Sequence, residues 1–579
     1  MSFFSSIQDR NDFFRLLGIS KQQMTYLLYN KEKKGTENSY HTFEIEKKSG
    51  GVRVINAPNE ELKYIQKKLA ALLWTAQKEI WKVNEVKPNI SHAFQKEQSI
   101  ITNAKIHRNK KYVLNVDLED FFNSFHFGRV KGFFEKNREF KVPEEVALII
   151  AQLTCYQGTL PQGSPSSPII TNLICKILDF RILKLSKKYK LDYTRYADDL
   201  TFSTNDKPFY NQRENFLLEL EKEIKRAGFS MNEKKTRFQF NTSRQEVTGL
   251  VVNKKLNVPK EYYKNTRAMA HSFYKHGQFF VHGEQGSINQ LEGRFAFINQ
   301  LDRYNNSIEY KKDLLSIRKR DNNQYNNLLS LNAREKQYQQ FLFCKYFFAN
   351  EKPAIVTEGK TDIRYLKAAL KKFHADYPNL VEKVDSEYIF KITFLRRSKR
   401  LRYFFNFSLD GADAMKNLYN FFCDKDNKIY PNYLKYFNSI NPSMSKNPII
   451  FIFDNEIPNG KKSKPLKSFI NHVGKSTQLN KELIKDKLSL RIENNLYLLT
   501  NQLMHYNKEN ELEDLFDEKT LCHKIDGKIF SKNGDSKMNY GKEIFSKYIL
   551  DNYNQINLDN FKIILNNLSA IIDDYQNSV

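Results

Sequence analysis

Tryptophan occurs twice, cysteine five times and proline fifteen times in 579 residues. The cysteines (Cys155, Cys175, Cys344, Cys423 and Cys522) are scattered and contain no CxxC pair, which excludes a disulfide framework. Long apolar runs are missing too. Stretches such as PIIFIF at 448–453 fall far short of the ~18 consecutive residues of a spanning helix. The opening MSFFSSIQDRNDFF has no basic segment followed by an apolar core, so no secretory signal is expected. No repeat of fixed period is evident. A cytoplasmic chain with no membrane partner is the expectation.

Acidic residues are also under-represented. Lys and Arg total 93 against 66 Asp and Glu, a net charge of +27, which points to a polyanionic partner such as nucleic acid. Residues 1–350 carry 57 basic and 37 acidic side chains, so most of the surplus lies there. Hydrophobic residues make up 40% and aromatics 14%, enough for large cores. At roughly 150 residues per domain, three to four domains or two large ones are expected. Two dense basic runs, Arg396–Arg402 (RRSKRLR) and Lys461–Lys467 (KKSKPLK), read equally as solvated segments or as phosphate contacts.

Periodicity predicts helices over Asp9–Leu17 and Lys21–Tyr29, then a hairpin turning at Ser49-Gly50-Gly51, then a long amphipathic helix from about Glu60 to Lys82. Two short apolar strands follow, KYVLNVDL (111–118) and YTRYADDLTFS (193–203). Residues 260–348 read as mostly helical, with an Asn-rich polar interval at Asn305–Asn327. At Pro353 the pattern changes to strand, glycine turn and amphipathic helix, the start of an α/β unit, and PIIFIFDNE supplies a second strand. The expected divisions are 1–300, 301–349 and 350–579.

Three acids stand out in the first part. Asp117 ends an apolar strand, while Asp198 and Asp199 lie inside Tyr196-Ala197-Asp198-Asp199. Adjacent acids in an apolar hairpin are costly unless a cation or solvent compensates them; an exposed hairpin tip would be the bland explanation. A strand-end carboxylate meeting such a pair is what two Mg²⁺ ions about 3.5–4 Å apart require. Between the acids lies Gly158-Thr159-Leu160-Pro161-Gln162-Gly163-Ser164-Pro165, a glycine- and proline-rich entry to a helix.

The order Asp strand, PQG turn with helix, then YxDD hairpin resembles the palm of reverse transcriptases. Asn103-Ala104-Lys105-Ile106-His107 and Val247-Thr248-Gly249 resemble the retron branch. The resemblance implies fingers, palm and thumb over residues 1 to about 300, with Asp117, Asp198 and Asp199 as catalytic metal ligands. It implies Phe122 as the aromatic gate against a ribose 2′-hydroxyl, leaving Phe121 to the core, and Gln162 beside the incoming deoxynucleotide. Arg53 is either a triphosphate contact or a surface arginine. Lys234 or Lys235 takes the place of a lysine that protonates pyrophosphate. Asn103 and His107 are implied in recognition of the cognate RNA, or else support a loop. The family primes from the 2′-hydroxyl of an internal guanosine and copies its own non-coding RNA (msr–msd) into branched msDNA from dNTPs.

A second acidic set follows. Glu358-Gly359 ends one strand, Asp454-Asn455-Glu456 ends another, and Glu511, Glu513 and Asp514 lie in NELEDLF. Acids at the carboxyl ends of parallel strands face one crevice and bind Mg²⁺; a helix N-terminal cap is the bland alternative for Glu358 and Asp362. The layout resembles the TOPRIM domain of topoisomerases, primases and nucleases, with Glu456 where that family has Asp. The resemblance implies Glu358 as general acid/base, Asp454 and Glu456 as ligands, and Glu513 or Asp514 as a late acid.

The fold class expected is therefore multidomain α+β and α/β, a right-hand reverse transcriptase followed by a TOPRIM domain. The resemblance implies antiphage defence, a DNA or RNA nuclease target (tRNA among them) and a homo-oligomer with msDNA. Two alternatives stand beside it: an RNA-binding scaffold with an inactive TOPRIM domain, and a group II intron-like polymerase.

Overall fold

The computed structural model describes residues 3–29, 36–46, 50–85, 90–309, 328, 330–407, 413–425, 429–456, 464–474, 484–504, 507, 509–536 and 538–578. The chain forms two compact units, Met1–Lys260 and Glu261–Val579. Most of the Asn-rich interval and the start of the Lys461–Lys467 run lie outside the described residues.

In the first unit, helices form at Arg10–Leu17 and Lys21–Tyr29, as their apolar spacing predicts. Strands β1 (Tyr40–Glu46) and β2 (Val52–Pro58) pair antiparallel. Gly50 and Gly51 supply left-handed turn residues at φ +86° and +80°, while Ser49 lies outside the described residues. The helix Glu60–Val83 starts where Asn59 accepts from the Leu62 N–H, has Glu60 and Glu61 in its first turn and ends with Lys82. Charge at both ends suits the helix dipole. Its buried stripe, Leu62, Ile65, Leu69, Leu73, Ala76 and Ile80, repeats at helical spacing and enters one large core.

A four-stranded sheet lies on that core in the order β4-β5-β3-β6, with β3 (Tyr112–Leu118), β4 (Asp192–Tyr196), β5 (Asp199–Thr204) and β6 (Met231–Phe240). Strand β3 is central and buried except at Asn115, so it reads as a nearly continuous apolar run. The helix Ser167–Lys188 backs the sheet. A tight hairpin, β7 (Glu246–Val247) and β8 (Leu250–Val251), turns at Thr248 and Gly249, both with positive φ.

The second unit opens with helices Lys260–His276 and Ile288–Glu309, small strands β9 (Phe280–Val281) and β10 (Glu284–Gln285), and helix Ala333–Phe343. A hairpin of β12 (Val381–Val384) and β13 (Glu387–Phe390) flanks its main sheet. That sheet has five strands in the order β14-β11-β15-β17-β16: β11 (Ala354–Thr357), β14 (Thr393–Phe394), β15 (Ile449–Phe453), β16 (Ser489–Glu493) and β17 (Leu496–Thr500). All neighbours are parallel except β16 with β17. Val356, Phe451 and Leu498 enter one core, whereas Ile355, Ile450, Ile452 and Leu499 enter another on the opposite face. Burial on both faces is why these strands are uniformly apolar. No described helix is long and apolar enough to cross a membrane.

Candidate active site and a second carboxylate cluster

The register of the first sheet places Asp117 directly opposite Asp199 of β5. Asp198 occupies the two-residue turn between β4 and β5, and its carbonyl accepts from the Leu118 N–H at 3.0 Å. The turn is tight enough to need Ala197 at φ +58°, a strained conformation for a residue with a side chain.

Beneath the turn lies a network that the motif reading missed. Arg195 is fully buried and grips Asp179 with two 2.7 Å hydrogen bonds, and its remaining amino group donates to the Ala197 carbonyl at 3.2 Å. Tyr193 donates to the same aspartate at 3.0 Å. The signal in the sequence is a lone arginine at an inward position of an apolar strand, which demands a buried acid.

Burial and mutual repulsion dominate the acids themselves. The Asp199 carboxyl is pushed up to about 7 by burial, then by Asp198 and Asp117, with Lys235 opposing. Asp198 is raised by burial and by Asp117, while Lys235 and Arg53 pull the other way. Arg53, exposed on β2, therefore lies within electrostatic reach of the site. The Lys235 ammonium sits 3.0 and 3.1 Å from the two Asp117 oxygens. Lys234 is its exposed neighbour on β6, where the register against β3 is irregular, and it is the Lys235 ammonium that reaches the carboxylates.

The Pro161-Gln162-Gly163 turn abuts the fingers strand. Asn56 of β2 donates to the Gln162 carbonyl at 2.8 Å. Gly163 has φ +118°, and a Cβ there would lie 2.7 Å from the Asn56 oxygen, so only glycine fits. Phe121 is core, stacked on Phe229 at 5.8 Å, as expected. Phe122 is half-buried beside it.

Asn103 and His107 stand elsewhere. Both are fully buried. His107 bridges Ser203 and Thr194 at 2.7 Å each, and burial pushes its pKa down to about 3. His107 thereby ties β4 to β5 from within, whereas the buried Asn103 amide has no hydrogen-bond partner among the described residues. The β7–β8 hairpin also rests here, with the Thr248 hydroxyl donating to the Ile100 carbonyl at 3.4 Å.

In the second unit, Glu358 follows β11 and Asp454 follows β15, adjacent parallel strands. Asp362 joins them, its carboxylate accepting from the Gly359 N–H at 2.7 Å. A Cβ on Gly359 would meet that carboxylate at 2.8 Å, which explains the Glu-Gly pair. Burial raises Asp454 strongly, reinforced by Asp362, Glu358 and Glu513. Glu358 is pushed up to about 7 by burial, then by Glu456 and Asp362, and its Oε2 is buried with no hydrogen-bond partner among the described residues. Glu513 is 1% exposed and accepts from Tyr365 at 3.3 Å. Asp514 instead caps the turn through the Glu511 N–H and pairs with Lys532 at 2.7 Å. Glu513 is thus the acid turned toward the cluster.

Glu456 lies at the edge, 4.0 Å from Lys464. Lys542 enters the cluster, 3.1 Å from Glu511 and 3.2 Å from Glu513. Arg397 donates to the Thr357 and Glu358 carbonyls at 2.8 Å each. Asp362 lies one helical turn beyond Glu358, whereas Lys542 and Arg397 reach the cluster from distant sequence positions, where no local motif marks them.

Among the described residues no three His, Cys, Asp or Glu side chains already converge as a metal site. The donor chemistry nonetheless fits a hard divalent cation in both places. Each set is oxygen-only and buried, and its members raise one another's affinity for positive charge.

The first site defines a reverse transcriptase: the family described as "Reverse transcriptase (RNA-dependent DNA polymerase)" matches residues 45–258, which hold Asp117, Asp198 and Asp199. The retron Ec86 reverse transcriptase of Escherichia coli is 34% identical over 278 residues, covering 48% of this chain and 77% of that one. The retron Mx162 enzyme of Myxococcus xanthus is 34% identical over 321 residues, covering 50% of this chain and 63% of the relative. This chain belongs to the retron reverse transcriptase family. A telomerase structure from Candida albicans overlaps 53% of this chain and 60% of its own at a TM-score of 0.30 and 13% identity.

Proposed function

We propose that the chain copies its cognate non-coding RNA into branched msDNA, priming on a 2′-hydroxyl, and that residues 350–579 form a TOPRIM-like, Mg²⁺-dependent nuclease acting in antiphage defence. The observation that carries the polymerase reading is the pairing of Asp117 with Asp199 beside the Asp198 turn, in a member of the retron family. Asp117, Asp198 and Asp199 would hold Mg²⁺, which when bound lowers the pKa of a 3′-hydroxyl and neutralises triphosphate charge. Lys235 would supply a proton at the pyrophosphate oxygen, Arg53 would meet the triphosphate, and Gln162 would line the nucleotide site. The Phe122 ring would exclude a ribose 2′-hydroxyl. On this reading residues 1–300 make the fingers, palm and thumb, and 301–349 connect them to the effector.

The nuclease reading is supported by the buried acids at the ends of β11 and β15, with Glu358, Asp454, Glu456 and Glu513 as the proposed working set and DNA or RNA, including tRNA, as target. A contrary observation favours a second reading, an RNA-binding scaffold with an inactive effector: Lys542 already neutralises Glu511 and Glu513. Incubating the purified protein with its locus-encoded RNA and labelled dNTPs tests the polymerase. A product shortened by debranching enzyme supports it, and a linear primer-extended product or none refutes it. Mg²⁺-dependent cleavage that vanishes in Glu358→Gln separates the nuclease from the scaffold.

A further inference from the structure

A cavity of about 1310 Å³ lies wholly within the second unit, between helix Ile288–Glu309, Tyr338 and the segment 393–404. It is separate from the acids at the strand ends and takes up Arg396, Lys399 and Arg400 of the RRSKRLR run, which neither carboxylate site uses. Arg303, Arg396, Lys399 and Arg400 line it, and no Asp or Glu is among its described lining residues. Glu292 stands behind Arg400 as its ion-pair partner, but shares its one charge with Lys345 at 2.5 Å. Arg303, Arg396 and Lys399 have no acidic partner among the described residues and are exposed.

The same cavity is lined by the half-buried rings of Tyr304, Tyr346 and Phe394. Arg397 takes no part in this lining; it turns the other way and holds the Glu358 carbonyl.

We propose that this cavity binds a single-stranded nucleic acid, with Arg303, Arg396 and Lys399 on phosphates and Tyr304, Tyr346 and Phe394 under bases. A rim of unpaired cations over aromatic platforms is the arrangement that holds unpaired strands without reading a duplex. The volume exceeds the roughly 300–1,000 Å³ of pockets for single small ligands, so several nucleotides of one strand suit it better than one free nucleotide. An acidic peptide would satisfy the cations but leave the rings unused.

The test uses the full chain carrying Asp198→Asn, so that polymerisation is silent, with short fluorescent oligo(dT) and oligo(rU) as probes in parallel. Titrations at several salt concentrations compare this protein with the same chain carrying Arg396→Glu and Lys399→Glu, both exposed positions. Loss of two phosphate contacts lowers the slope of log affinity against log salt by about 1.4. Photocrosslinking of halogenated oligonucleotides should label Tyr304 or Tyr346, and whichever probe labels them identifies the strand as DNA or RNA. Unchanged slopes with crosslinks confined to residues 1–260 would overturn the proposal. So would polyglutamate competing as well as an oligonucleotide of equal charge. Failure of msDNA synthesis would leave these outcomes untouched.

Discussion

Lys235 reaches Asp117 across the β3–β6 pair, its ammonium 3.0 Å from the carboxylate, whereas Lys234 beside it makes no such ion pair among the described residues. The pairing places a proton donor at the acid that ends the central strand. Lys235→Ala is expected to lower kcat by about 10²-fold, the usual scale for loss of a positioned general acid. Lys234→Ala should stay near wild type. Steady-state incorporation on a primed template checks both, and the reverse ranking would contradict the assignment.

His107 gives the first unit a built-in acid sensitivity. Its pKa is about 3 when folded against an ordinary value of 6.5, so the unfolded chain binds the extra proton between those limits. Its stabilising contribution is complete above pH 6.5 and is lost as pH falls toward 3, by about 1.4 kcal/mol per unit at most. Thermal unfolding between pH 4 and 7 should show this slope. His107→Asn should flatten it while lowering stability at neutral pH.

Gly163 is the point where the PQG turn touches the fingers. Gly163→Ala combines a 2.7 Å clash with the Asn56 oxygen and a left-handed backbone angle. Strain of about 1–3 kcal/mol should move Gln162 and raise the KM for dNTPs by about tenfold or more. Unaltered KM with normal folding would show that the turn does not shape the nucleotide site.

Much of this was legible in the sequence because the signals are local. The β4–β5 hairpin, the long helix from Glu60 and the strands around Asp117 and Asp454 announce themselves through apolar periodicity and short spacing. What stayed hidden depends on partners distant along the chain. Arg195 has meaning only with Asp179, and Lys542 only with Glu511 and Glu513. The choice between Lys234 and Lys235 needed the position of each ammonium in space, which adjacent identical residues cannot reveal. Asn103 and His107 were singled out through the family resemblance, which says nothing of burial; the buried hydroxyls of Ser203 and Thr194 are what make His107 an interior residue.

For the second cluster, Glu513 and Asp514 make opposite predictions. Glu513 is buried among the acids, while Asp514 caps a turn and pairs with Lys532. Glu513→Gln should abolish Mg²⁺-dependent cleavage and leave DNA synthesis intact. Asp514→Asn should retain cleavage, at a stability cost of about 1 kcal/mol for the lost cap. Gel assays on labelled RNA and DNA distinguish them.

The most direct test is to express the chain with its adjoining locus, purify it natively and digest the bound nucleic acid separately with RNase and DNase. The account predicts a short DNA whose size shifts on RNase treatment and which is absent when Asp198 and Asp199 are both replaced by Asn. A DNA that persists in that double variant, or bound RNA with no DNA from the wild-type chain, would contradict it.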